Sequence, residues 1–137
     1  MNAPLPMNLI PTNIAAMDTE LDIVALARSG GMALAAMVSH AEQLQRDGHA
    51  QAASNLYGLW LAHHEDPRKH LVWFNHGSLL QQLGQSAQAQ QAYEQALALS
   101  PDFAQARINL GLVLEKQGHT AQAIAAWAHL TGQRYAK

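Results

Sequence analysis

From Trp73 to Pro101 the chain reads WFNHGSLLQQLGQSAQAQQAYEQALALSP. Its apolar positions neither alternate with polar ones, as in a half-buried strand, nor run unbroken as in a membrane span. They recur at helical spacing in two halves separated by Gly84, which predicts two helices joined by a tight turn. A second copy follows. Displacing the sequence by 34 residues pairs Asn75 with Asn109, Gly77 with Gly111, Leu80 with Leu114 and Gly84 with Gly118, then Ala89 with Ala123, Ala92 with Ala126 and Tyr93 with Trp127. A stride of this length predicts an all-α helix-turn-helix solenoid, in which each helix pair buries its apolar face against the next.

Each recurring position has an expected task. Glycine inside a helix costs about 1 kcal/mol relative to alanine, so Gly77 and Gly111 need a packing reason. Close approach to Ala89 and Ala123, twelve residues on, is the expected one. Gly84 and Gly118 are expected to close the first helix of each pair in the left-handed conformation. Tyr93 and Trp127 are expected to fill the space between one pair and the next. Pro101 suits the first turn of a helix, with Ser100 or Asp102 as its cap.

A third copy lies upstream, with Ala41, Leu44, Gly48, Ala53, Tyr57 and Trp60 at the same internal offsets, but the next copy starts 36 residues later. The expected cause is a second helix lengthened by two residues, ending near HHEDP. Repeats are therefore expected at about 34–67, 68–101 and 102–135. A further helix is expected over 18–31, with Thr19 and Asp22 as a capping box and Arg28 near its end before two glycines. Residues 1–17, with three prolines, read as a flexible leader. No comparable helix covers the last repeat, where Ile124 and Leu130 are expected to stay partly uncovered. That end implies a longer protein or a docking partner.

These positions resemble the tetratricopeptide repeat. The 68–101 copy supplies Trp73, Gly77, Ala89, Tyr93, Ala96 and Pro101, with His76 in the place of the usual leucine. The 102–135 copy supplies Leu110, Gly111, Ala123 and Trp127, with Arg107 in the place of the first tryptophan. The resemblance implies an arc whose inner wall carries Leu71, Phe74, Asn75, Ser78 and Gln81 from one repeat and Gln105, Ile108, Asn109, Leu112 and Glu115 from the next. It also argues against a terminal-carboxylate clamp, because the corresponding places hold Val38, Glu42, Asn75, Gln105 and Asn109, none of them cationic.

Asn75 stands one repeat from Asn109, and a carboxamide can pair with both the N–H and the C=O of an extended peptide. Repeats about 9–10 Å apart and a peptide rise of about 3.3 Å per residue would give one rung for every three peptide residues. This spacing resembles the asparagine ladder of O-linked N-acetylglucosamine transferases, and residues 32–128 resemble the repeat region that opens bacterial Spindly-type members of that group. The expected groove residues are Asn75, Asn109, Phe74, Ser78, Gln105 and Leu112.

Composition narrows the rest. With 137 residues the chain fits one domain; 49% of its residues are hydrophobic and only 13% charged, which suits extensive helix packing. A formal charge of -2 and scattered Lys and Arg argue against nucleic acid as partner. There is no cysteine, the first sixteen residues do not form a secretory signal, and no apolar run reaches membrane-spanning length. A cytoplasmic protein without membrane contact is expected.

Zinc needs three or four converging ligands, whereas His63 and His64 diverge on a helix end and Pro67 separates them from His70. A polar turn with Asp66 as a helix cap is the expected use of that stretch, with no metal. His76 is expected to replace a packed leucine, and Trp60 and Trp127 to lie in the core. No phosphate-binding loop, zinc-protease helix or serine elbow occurs, so neither catalytic residues nor a cofactor are expected. The expected function is a protein–protein interaction module. It binds an extended polypeptide, as the substrate-recognition part of a larger glycosyltransferase-like protein. The alternative is a scaffold that docks or self-associates through its last helix.

Overall fold

A computed structural model describes the backbone of residues 23–135 and the side chains of residues 23–130. The expected leader and the Thr19–Asp22 capping box lie outside the described residues. Helical backbone over 23–29 (α1) is followed by α2 (Leu34–Arg46), α3 (Ala50–His63), α4 (Lys69–Gln82), α5 (Ser86–Leu99), α6 (Ala104–Lys116) and α7 (Thr120–Tyr135). No strand forms among the described residues. The fold is the all-α helical solenoid expected from the 34-residue stride.

The turns inside the three pairs are copies of one another. Gly48, Gly84 and Gly118 adopt φ of 84°, 78° and 86°, a region that L side chains resist. The residue after each glycine reaches back to the last helical turn: His49 N–H donates to Leu44 O at 2.7 Å, Gln85 to Leu80 O at 2.9 Å and His119 to Leu114 O at 2.8 Å. Carbonyls that the helix end leaves free are thereby satisfied in the same way three times.

The connections between pairs depart from expectation. Helices α3 and α5 have 14 residues each, so α3 is not lengthened. One extra residue sits in α4, which has 14 residues against 13 in α6. The other sits in the connector, which occupies 64–68 after α3 but 100–103 after α5. At this connector His64 leaves the helix in extended conformation (φ -130°, ψ 149°) and reaches the α1–α2 connection. Its Nε2 accepts the Met32 N–H at 2.9 Å, its Nδ1 lies 3.0 Å from Trp60 O, and its ring stacks on Trp60 at 4.7 Å and 11°. Trp60 Nε1 donates in turn to Met32 O at 2.8 Å, so both backbone groups of Met32 are satisfied by the first helix pair.

Neither expected cap forms as expected. The Asp66 carboxylate accepts the Arg68 N–H at 2.8 Å and the Arg68 guanidinium at 2.9 Å, closing a turn that precedes α4 rather than capping the helix itself. Pro101 stands ahead of α6, which begins at Ala104. Ser100 O accepts the Phe103 N–H at 3.0 Å, and this turn uses the residues expected to cap. Arg107 Nη2 donates to Pro101 O at 2.9 Å, which gives the residue in the place of tryptophan a structural use.

The glycines inside helices α4 and α6 do face a close neighbour, and the atoms nearest to each belong to the aromatic ring rather than to the expected alanine. A Cβ on Gly77 would lie 2.8 Å from Tyr93 Cε1, and one on Gly111 would overlap the Trp127 indole. The aromatic ring of the second helix thus packs directly against the glycine of its own pair. Ala89 and Ala123 are fully buried beside it. The core runs from Met37, Trp60 and Val72 through Leu80, Tyr93 and Val113 to Ala123, with Trp73 packing on both halves.

Candidate peptide groove

Helix α4 touches α6 directly, while α3 and α5 make their extensive contacts with the first helices. Helices that approach each other stand on the inside of an arc, so α4 and α6 form its inner wall and α3 and α5 its outer wall. The buried faces of α4 and α6 are fixed by Val72, Leu79 and Leu80 and by Ala106, Val113 and Leu114. Helical spacing then turns Leu71, Asn75, Gln105, Ile108 and Leu112 outward, all exposed. Leu71 is 45% exposed, Ile108 39% and Leu112 45%. An isolated exposed leucine means little, but here one wall carries three exposed apolar side chains, one on α4 and two on α6.

The six expected groove residues divide into two sets. Asn75, Gln105 and Leu112 are exposed on the wall; Phe74, Ser78 and Asn109 are half-buried. Phe74 packs against Tyr93 and Phe103, with ring centroids 5.8 and 5.1 Å apart, and so belongs largely to the core. Asn109 Nδ2 donates to Tyr93 Oη at 3.3 Å, and the Tyr93 hydroxyl donates to Gln81 Oε1 at 2.6 Å. This chain ties α6 through α5 to α4. Burial pushes the Tyr93 phenol up, partly offset by hydrogen bonds from Asn109 and Ser78. The two asparagines one repeat apart are therefore not equivalent: Asn75 faces solvent, whereas Asn109 is engaged between repeats.

Sequence reasoning did not anticipate the Tyr93 hydroxyl network. The signal was present in Gln81, Tyr93 and Asn109, but three polar groups on three helices show their connection only after folding. His76 does take the leucine place, half-buried beside Tyr57 and Trp73 at 5.9 and 6.2 Å. Burial pulls its pKa from 6.5 down to about 4, and its Nδ1 is sealed without a partner. Burial raises the Tyr57 phenol on α3, with a smaller push from the Glu42 carboxylate on α2. Among the described residues no three His, Asp or Glu side chains converge as metal ligands, and no helix is long and apolar enough to cross a membrane.

Comparison with known proteins agrees with this geometry. Residues 74–135 match the family model described as tetratricopeptide repeat. The structure is similar to the crystal structure of MamA, with a TM-score of 0.59 and 21% sequence identity, over 87% of this chain and 73% of that one. No curated protein matches the chain significantly. The match over residues 74–135 covers the third helix pair and most of the second, and the likeness to MamA extends the fold over most of the chain; the architecture is that of a tetratricopeptide-repeat solenoid.

Proposed function

We propose that the inner wall binds an extended polypeptide segment that carries apolar side chains and needs no charged terminus. The observation that carries this reading is the exposure of Leu71, Ile108 and Leu112 on a single wall beside Asn75 and Gln105. The carboxamides can pair with a peptide main chain whatever its side chains. The leucines and isoleucine reward apolar ones. Such a site is modest in strength. A net hydrogen bond contributes about 0.5–1.5 kcal/mol, and micromolar binding requires roughly 8 kcal/mol. Binding by this chain alone should lie between about millimolar and micromolar.

The proposed context is substrate recognition for a glycosyltransferase-like partner domain. It rests on the likeness of residues 32–128 to the Spindly-type repeat region. With Asn109 engaged by Tyr93, any ladder here runs through Asn75 and Gln105 instead of through the two asparagines. The test is a titration with display-selected uncharged peptides, following the side-chain amides of Asn75 and Gln105 by NMR. Saturable shifts at these positions support the reading; unchanged shifts with every selected peptide overturn it.

A second reading is favoured by α7. Tyr93 is fully buried because α6 covers it, whereas its counterpart Trp127 is only half-buried and Ile124 is 58% exposed. This end face suits docking of a further helix or self-association. Light scattering over a range of concentrations decides the self-association form.

A further inference from the structure

Between the outer helices α3 and α5 lies a cleft of about 740 Å³ that the inner groove does not use. It is an open groove whose volume falls within the range of ligand sites. Leu59 and Ala92 with Trp73 and His76 make its floor, and Leu80 closes it from beneath. Its walls are carboxamides: Gln51 and Asn55 on α3 and Gln88, Gln91 and Gln95 on α5, all exposed. One end is drawn shut by Gln85 Nε2 donating to Gln51 Oε1 at 2.8 Å, and Gln51 Nε2 donates in turn to Asn55 Oδ1 at 3.2 Å, so a strand on the α3 side has to exchange these exposed bonds for its own. Glu94 is the only acid in the lining and there is no Lys or Arg, so nothing there attracts an anion.

We propose that this outer cleft is a second polypeptide site, specific for an uncharged extended strand with apolar residues at alternating positions. Three features select that occupant. A helix satisfies its own backbone, but an extended chain leaves an N–H and a C=O free at every residue, and carboxamides supply both partners. The spacing also fits. Gln51 and Asn55 are four apart on α3, and Gln91 and Gln95 four apart on α5, a rise of about 6 Å. A strand presents its main-chain groups to one side every second residue, about 6.6 Å. Alternate residues can thus bond to α3 and to α5 in turn. The side chains alternate at right angles to those bonds, so every second one enters the Leu59–Trp73 floor and the others face solvent. The absence of a cation and the single acid complement a neutral strand.

The probe is a capped heptapeptide, Ser-Leu-Asn-Leu-Ser-Leu-Asn, added to the full-length chain. Its controls are an isomer with the three leucines contiguous and an analogue with lysine replacing leucine. Shifts of the Asn55, Gln88 and Gln91 side-chain amides and the Trp73 indole N–H are followed by NMR. The proposal expects saturable shifts there at roughly millimolar peptide, with both controls weaker. Gln91→Arg and Asn55→Arg, at exposed positions, should each weaken binding about fivefold without changing the melting temperature. Shifts confined to Asn75 and Gln105 would overturn the outer site while supporting the inner one. Equal binding of the contiguous isomer, unchanged affinity in both arginine variants, or no shift at all would also overturn it.

Discussion

At the scale of single residues, the stacking depends on glycines that leave room for a ring. A Cβ on Gly111 overlaps the Trp127 indole, so the ring or its helix has to move. Gly111→Ala is therefore expected to destabilise the chain by about 1–3 kcal/mol, even though alanine favours the helix by about 1 kcal/mol. Urea unfolding measures this, and the same substitution in a Trp127→Leu background should cost far less. His76 has a different signature. The folded chain keeps it neutral down to about pH 4, whereas an unfolded histidine takes up a proton near 6.5. Between these values the unfolded state binds more protons, so stability falls as pH drops, by on the order of 3 kcal/mol at most. His76→Leu should flatten that slope between pH 6.5 and 4 and raise the melting temperature, since it also removes the sealed Nδ1.

Both glycines could be singled out in the sequence because a costly residue recurring mid-helix implies a neighbour. Which neighbour could not be read there. Alanine and the aromatic sit one turn apart on the same helix face, so helical spacing points both toward the glycine and the larger ring supplies the nearest atoms.

At the scale of elements, the turns within pairs were the most legible feature, because glycine at φ near +80° is a local requirement that the sequence must meet. The connections between pairs were less so. His64 leaves α3 and reaches Met32, a residue 32 positions earlier, a long-range contact that local spacing does not show. Likewise Ser100 and Asp66 are used in turns, because short polar side chains serve a turn as readily as a cap. The three hydrogen bonds joining Met32, Trp60 and His64 hold the α1–α2 connection onto the first pair. Trp60→Phe keeps the ring in the core but removes the donor to Met32 O. Amide exchange at 23–32 should then accelerate by about tenfold, as expected for loss of roughly one buried hydrogen bond, while α4–α6 stay protected. Uniform acceleration along the chain would mean that this contact is part of the global core instead.

At the scale of the whole molecule, the arc follows from its parts: repeated pairs, ring-on-glycine contacts and direct approach of α4 to α6. The stride made this architecture legible from the sequence. The inner wall was legible in outline through the resemblance, which gave its exposed members Asn75, Gln105 and Leu112. It could not separate these from Asn109 and Phe74, which the fold draws into its own hydrogen bonds and core. The outer cleft was invisible in sequence, because its walls come from helices 36 residues apart and glutamine on an exposed helix face carries no signal by itself.

The central functional claim is that the exposed apolar wall of α4 and α6 is what holds a polypeptide. Calorimetric titration of a display-selected uncharged peptide into the wild-type chain and into the Leu71→Asp, Leu112→Asp double variant tests it most directly. Both positions are on the surface, so helicity by circular dichroism should be retained. Affinity should fall by at least about tenfold in the variant, the loss expected for withdrawing two partly buried apolar contacts; equal affinity for both proteins would contradict the account.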